Sequence, residues 1–273
     1  MMEPFQIDRK DGINFTIPEW KGILAGFTTK NGGVSKTEFA SLNLGLHVHD
    51  EREAVVENRE LLAESLSFPL YKWVFADQIH SNHIEKITDA HIGKGTEYYS
   101  DSIAKADGLY TSGKGIMLAL CYADCVPLYF YAPTKGLIGA AHAGWKGSVS
   151  DIGGKMVQKW EEDEGVSPNE VKVVIGPSIG SCCYVVDDYV KNFVDQIVSE
   201  ISSKPYDEIS TGQYKLDLKQ LNKLLLLRAG IKEENILISQ LCTSCEKDYF
   251  FSHRRDKGKT GRMLSYIGFQ EEI

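Results

Sequence analysis

His80, Cys125 and His142 are residue types that suit a metal ion. They stand 45 and 17 residues apart, too far for the close ligand pairs of a zinc finger. Three nitrogen or sulfur ligands on three loops suit a catalytic zinc instead, which keeps its fourth position for water or substrate. Spacing alone leaves another reading open: two loop histidines and a half-buried thiol that never meet. Cys242-Thr243-Ser244-Cys245 is a C-x-x-C. A zinc ribbon needs a second such pair, and the adjacent Cys182 and Cys183 have the wrong geometry for one. A redox motif or structural thiols are the readings left for it. His47 could line a pocket but reads with His49 as a solvated loop histidine, and His83 and His91 read as surface residues.

Cations collect near the C-terminal end. Arg254, Arg255 and Arg262 fall within nine residues of an acidic chain. Guanidinium forks match phosphate oxygens, so these three are candidates for an anion pocket as well as for a solvated loop. Thr29-Lys30-Asn31-Gly32-Gly33 adds Lys30 on a tight turn, without the spacing of a P-loop. Asp124, beside Cys125, is a candidate proton shuttle; its alternative role is to hold the neighbouring ligand in place.

These residues lie at the ends of apolar runs, where strands would fix them and loops expose them. The runs cover 23–28, 73–76, 116–121, 128–131, 137–141, 171–175, 236–241 and 263–267. Four helices are expected. The first begins at Asp50 with Glu53 as a capping box and ends near Leu66. The second carries Ile152, Met156, Val157 and Trp160 on one face and stops at Gly165. The third places Val190, Phe193, Val194, Ile197, Val198 and Ile201 at helical spacing. The fourth spans 217–229, before Gly230. Strands outnumber helices without alternating regularly, which predicts an α+β fold with mixed sheets.

Composition bounds the rest. The chain has 273 residues and a formal net charge of −8, which argues against a general nucleic-acid or membrane-surface binder but allows a local basic pocket. The apolar stretch 115–132 is interrupted by Asp124 and reads as two strands, not a membrane span. Six cysteines with no signal-like N-terminal run point to a reducing compartment, with the cytoplasm as default. Without a linker or repeat, residues 1–273 read as a single domain, and a monomer is expected.

Taken together, eight segments resemble one bacterial family. They are 29–34, 41–45, 78–80, 106–108, 123–127, 142–147, 176–183 and 252–262. The family is known as laccase-like or multicopper polyphenol oxidases and, more recently, as purine nucleoside phosphorylases (the YlmD/YfiH type). The resemblance implies a four-layer α/β/β/α sandwich and a zinc held by His80, Cys125 and His142. It also implies cleavage of adenosine, inosine, guanosine and 5′-methylthioadenosine by phosphate, and deamination of adenosine. Zinc with an open position activates water near neutral pH, which suits attack at C6 of adenine. Lys30, Arg254, Arg255 and Arg262 are then the cations available for phosphate, and Asn43 a residue for ribose or base. The chain departs from the family pattern at Lys30 and Lys146, where Arg is expected, at His253, where Tyr is expected, and at Ser81, where Gly is expected. Lys keeps the charge but loses the bidentate fork.

Three functions remain open at this level: the zinc phosphorylase, a copper-dependent phenol oxidase, and a zinc-containing binding protein without activity. A multicopper oxidase needs several centres, and seven histidines are few for four coppers.

Overall fold

The computed structural model describes residues 3–8 and 12–270. Two six-stranded sheets form its centre. The first runs, edge to edge, Gln6–Ile7, Asn14–Thr16, Ile23–Thr28, Met263–Phe269, Met117–Tyr122 and Trp73–Phe75. The second runs Ile236–Ile238, Lys172–Ile175, Val126–Ala132, Leu137–Ala143, Gly108–Thr111 and Ile84–Lys86. Each mixes parallel and antiparallel pairs: Trp73–Phe75 lies parallel to Met117–Tyr122, whereas Met263–Phe269 is antiparallel to it.

The order of layers follows from which side chains share a core. Phe27, Leu118, Leu120 and Ile267 of the first sheet meet Leu109, Tyr129, Ile138 and Val174 of the second in one buried cluster. Strands of both sheets are covered on each face, so they read as continuous apolar runs rather than alternating ones. On the far side of the first sheet, Met117, Ala119, Leu264 and Tyr266 pack against Leu62 and Ala63 of α1 (Arg52–Ser65). On the far side of the second, Leu128, Phe130, Val173 and Ile175 pack against two helices. These are α3 (Ile152–Glu164), through Met156 and Trp160, and α5 (Leu218–Arg228), through Leu221 and Leu225. The result is the expected sandwich of helix, sheet, sheet and helix.

Several elements differ from the sequence reading. A one-turn helix, α2 (Trp145–Val149), follows directly on the strand that ends at Ala143. A third sheet of Val185–Val186, Gln213–Leu216 and Tyr206–Ser210 was not expected. Its strands are too short and too exposed to show an apolar run. The helix expected to reach Ile201 stops as α4 (Asp188–Ile197). Asp50 does not cap α1, whose N-cap is Glu51 without a side-chain bond. Its carboxylate is instead held by Ser35 and Asn43. Among the described residues no helix is long and apolar enough to cross a membrane.

Candidate active site

The chain crosses between the sheets at Ala123, Asp124 and Cys125, leaving Met117–Tyr122 and entering Val126–Ala132. The latter pairs with Leu137–Ala143 so that Pro127 faces His142. Cys125 and His142 therefore reach the same end of the second sheet. His80 arrives from the first sheet, on the loop after Trp73–Phe75. The ligand atoms of the three all lie within 4.8 Å of one another, with His80 Nε2 4.0 Å from Cys125 Sγ.

One buried carboxylate shapes this cluster. Asp107, fully buried, accepts hydrogen bonds from the amides of Ile79, His80 and Ser81 and from the Ser81 hydroxyl. Three successive amides around one anion form a nest, and they hold His80 in the left-handed region at φ 62°. A non-glycine residue there costs about 1–2 kcal/mol, which the charged hydrogen bonds offset. The Ser81 hydroxyl, where the family pattern has Gly, adds to them. Asp107 Oδ1, which takes the His80 amide, also lies 2.9 Å from His142 Nδ1. That contact fixes a proton on Nδ1 and leaves Nε2 as the nitrogen available to the cluster.

Gly144 closes the cradle. A Cβ there would stand 2.9 Å from Cys125 Sγ and 3.0 Å from His80 Cδ2. Burial opposes charge on both Cys125 and His142, but each outweighs it for the other. His142 and His80 bring the Cys125 thiol down to about 6. Cys125, then Asp107, bring the His142 imidazole up to about 9. A thiolate, two imidazoles, a fixed tautomer and a glycine cradle together fit a divalent metal with an open position.

The cluster lies in a cleft of about 460 Å³, within the range of small-molecule sites. His47, Gln78, Trp145, Ile179, Tyr184, His253, Lys146, Arg254 and Arg262 also line it. His47 is thus a lining residue, and Gln78 is fixed by a two-way pairing with the Cys121 backbone.

Not every sequence candidate arrives there. Arg254 and Arg262 do. Arg255 does not: its guanidinium donates to the carbonyls of Thr243, Ser244 and Phe250 and pairs with Asp256. Lys30 lies outside the cleft lining, on a turn whose backbone bonds Ser41, Leu42 and Tyr249. Asn43 is fully buried; its amide donates to Asp50, and its oxygen accepts from the amides of Gly45 and Arg262. Arg255 and Asn43 spend their polar groups on the loops that carry the site. Asp124 borders the cleft, yet its oxygens accept from Thr243, Ser252 and the Arg254 amide. It holds loops together rather than presenting a free proton acceptor.

Reasoning from sequence missed Asp107 and Lys146 as site residues. It also set Cys182 and Cys183 apart from Cys242 and Cys245, and here the structure overturns it: all four sulfurs lie within 4.8 Å of one another. The turn at Gly180–Cys183 points both neighbouring thiols at the C-x-x-C, which adjacency in sequence does not reveal.

The family described as multi-copper polyphenol oxidoreductase laccase matches residues 24–270. The chain belongs to this family. Relatives within it carry a different activity in their names. The purine nucleoside phosphorylase YlmD of Geobacillus stearothermophilus is 49% identical over 272 residues, covering 100% of this chain and 99% of that one. The protein of the same name from Bacillus subtilis (strain 168) is 51% identical over 251 residues, 92% of this chain and 90% of that one. The crystal structure of YlmD from Geobacillus stearothermophilus superposes with a TM-score of 0.96 at 48% identity, covering 99% of this chain and all of that one.

Proposed function

We propose that this chain is a zinc-dependent purine nucleoside phosphorylase. It cleaves adenosine, inosine, guanosine and 5′-methylthioadenosine with phosphate, and it also deaminates adenosine. The observation that carries this reading is one cleft shared by the His80–Cys125–His142 cluster and by Lys146, Arg254 and Arg262. A metal site alone would suit many reactions; a metal site facing three cations suits a neutral substrate with an anionic co-substrate. The names of the relatives agree with it.

When bound, zinc with an open position supplies a Lewis acid and lowers the pKa of a water held there to about 7. The chain's own groups do the rest. Arg254 and Arg262 offer phosphate two forks and Lys146 a point charge. Trp145, Ile179 and Tyr184 supply apolar and aromatic wall for a purine and keep water from its face. Asp107 holds a His142 proton on Nδ1, so Nε2 is the nitrogen that would hold the metal. The partners are then a nucleoside and phosphate, with no nucleic acid or membrane involved, and the protein works as a cytoplasmic enzyme.

The donor set of two histidines and one cysteine is also that of blue copper, where a distant Met completes the site. No Met is among the residues lining this cleft, which favours zinc over copper oxidation. Incubation of the purified protein with adenosine, with and without phosphate, tests the reading. Adenine and ribose 1-phosphate should form only with phosphate, and inosine should form in either case. Absence of all three products, with a blue protein that oxidises phenols, would replace it with the oxidase.

A further inference from the structure

The four-cysteine group, on loops that also carry cleft residues, is outside the chemistry above. Cys182 and Cys183 lie on the loop after Lys172–Ile175, and Cys242 and Cys245 on the loop after Ile236–Ile238. These strands are parallel neighbours, and a bridge between Ser178 and Cys242 extends their pairing into the loops. We infer that Cys182, Cys183, Cys242 and Cys245 bind a second metal ion, a tetrahedral zinc that staples the two loops.

The sulfur geometry is the first argument. Cys182 Sγ lies 3.6 Å from Cys242 Sγ and 3.6 Å from Cys245 Sγ, and Cys183 Sγ lies 3.4 Å from Cys245 Sγ. Zinc–sulfur bonds of about 2.3 Å in a tetrahedron put sulfurs about 3.8 Å apart. A disulfide would need about 2.05 Å between one chosen pair. Here Cys182 and Cys245 each have two sulfur neighbours, so the four converge on one point rather than dividing into bonded pairs.

The surroundings are the second argument. The amides of Cys245 and Glu246 both bond the Cys242 carbonyl, a tight knuckle that turns both sulfurs of the C-x-x-C to one side. The Gly180 amide donates to Cys242 Sγ at 3.2 Å, as a thiolate ligand requires. Four thiolates on a divalent ion leave a net charge of −2. The buried ammonium of Lys219, bonded to the carbonyls of Ser239 and Leu241, stands in electrostatic reach of Cys242 and Cys182. Cys182 and Cys245 are exposed, which gives the ion a path in and the displaced thiol protons a path to solvent. Zinc is the choice because a closed S4 tetrahedron suits it and it needs no redox partner.

The staple would bear on the cleft. The first loop carries Ile179 and Tyr184 of the cleft lining. Thr243, inside the C-x-x-C, donates to Asp124, the neighbour of Cys125. The two metals would thus sit on opposite sides of one hydrogen-bonded wall, the outer one fixing the loops that shape the inner one.

The test counts metal in the full-length protein, reduced, loaded with zinc and freed of excess. Elemental analysis should find about two zinc ions per chain in the wild type. Cys125→Ala should retain about one, and Cys242→Ser/Cys245→Ser should retain about one. Cobalt loaded into Cys125→Ala should give an intense thiolate-to-metal charge-transfer band, and this band should vanish when Cys242 and Cys245 are also replaced. If the double variant fails to fold, alkylation of the wild type decides. Native zinc-loaded protein should keep Cys182 and Cys245 unmodified by maleimide despite their exposure, until a chelator is added. One zinc per wild-type chain, with these cysteines freely alkylated or mapped as disulfides, would overturn the inference. The count does not depend on which reaction the inner site performs, so failure of the phosphorylase reading would leave it standing.

Discussion

Asp107 and Arg255 are both charged groups spent within the protein, and they show how differently two such residues appear in a sequence. Asp107 belongs to an Ala-Asp-Gly segment that the sequence marks, yet its partners lie 26 to 35 residues away. Nothing local says which carboxylate will meet which loop, so its role emerges only when the sheets stack. Arg255 misleads in the opposite sense: among three arginines close in sequence, it reads as one of a phosphate set. The structure turns it inward onto three backbone carbonyls, whereas Arg254 and Arg262 border the cleft. The two types of arginine should part in experiment. Arg255→Ala should lower stability by about 2–3 kcal/mol, because charged hydrogen bonds to half-buried carbonyls are lost. Arg262→Ala gives up only local bonds to the carbonyls of Thr260 and Gly261; it should lower stability by about 1 kcal/mol and raise the KM for phosphate about tenfold, as loss of one guanidinium contact does. Thermal melts beside phosphate titrations check both. A pure KM effect in Arg255→Ala would return that guanidinium to the anion site.

At the scale of elements, the long buried strands and the amphipathic helices were legible because burial on a fixed face imposes a period. The second expected helix, ending at Gly165, matches α3 with Gly165 as its left-handed C-cap. The expected cap at Asp50 fails because that carboxylate is drawn into the buried network of Ser35 and Asn43. Asn58 of α1 bonds the same loop, and Arg59 bonds Leu44. Those contacts build Asn43 into the loops that frame the site. Gly144 is the joint between a strand and α2, and its requirement is steric, not conformational. Its φ of −65° and ψ of 174° are open to any residue. Gly144→Ala should therefore leave the fold intact but push Cys125 and His80 apart. Affinity for the inner metal should fall about 10- to 100-fold, the range seen when the support of a metal ligand is disturbed. Competition with a chromophoric chelator measures it. An unchanged affinity would mean that the two side chains can make room and that the cradle is not tight.

For the whole molecule, the four layers explain why chemistry and stability separate. Mixed sheets were legible from the irregular succession of strands and helices, whereas the stacking of one sheet on the other came from the family resemblance and not from the strand pattern. It depends on which faces of continuously apolar strands meet, and such strands carry no alternation to reveal a face. Once stacked, the central layer is built from residues such as Leu118, Leu120, Tyr129, Ile138, Ala140 and Val174, all fully buried. None of these is a metal ligand. His80 stands on an exposed loop at the rim of that layer, tied down through its backbone to Asp107 rather than through its ring. His80→Ala should thus keep the nest, the loop path and the core. It cuts the inner site from three ligands to two, which seldom retain a metal. The variant should lose one metal equivalent and both proposed activities. Its melting temperature should stay within about 4 °C of wild type, the shift that about 1 kcal/mol produces in a chain of this size. Calorimetry, metal analysis and the adenosine assay read the three outcomes together. An unfolded variant would make the inner metal structural and contradict the separation of site and core. A folded, metal-depleted variant that still cleaves adenosine with phosphate but no longer forms inosine would confine the metal to deamination and leave phosphorolysis to the cations of the cleft.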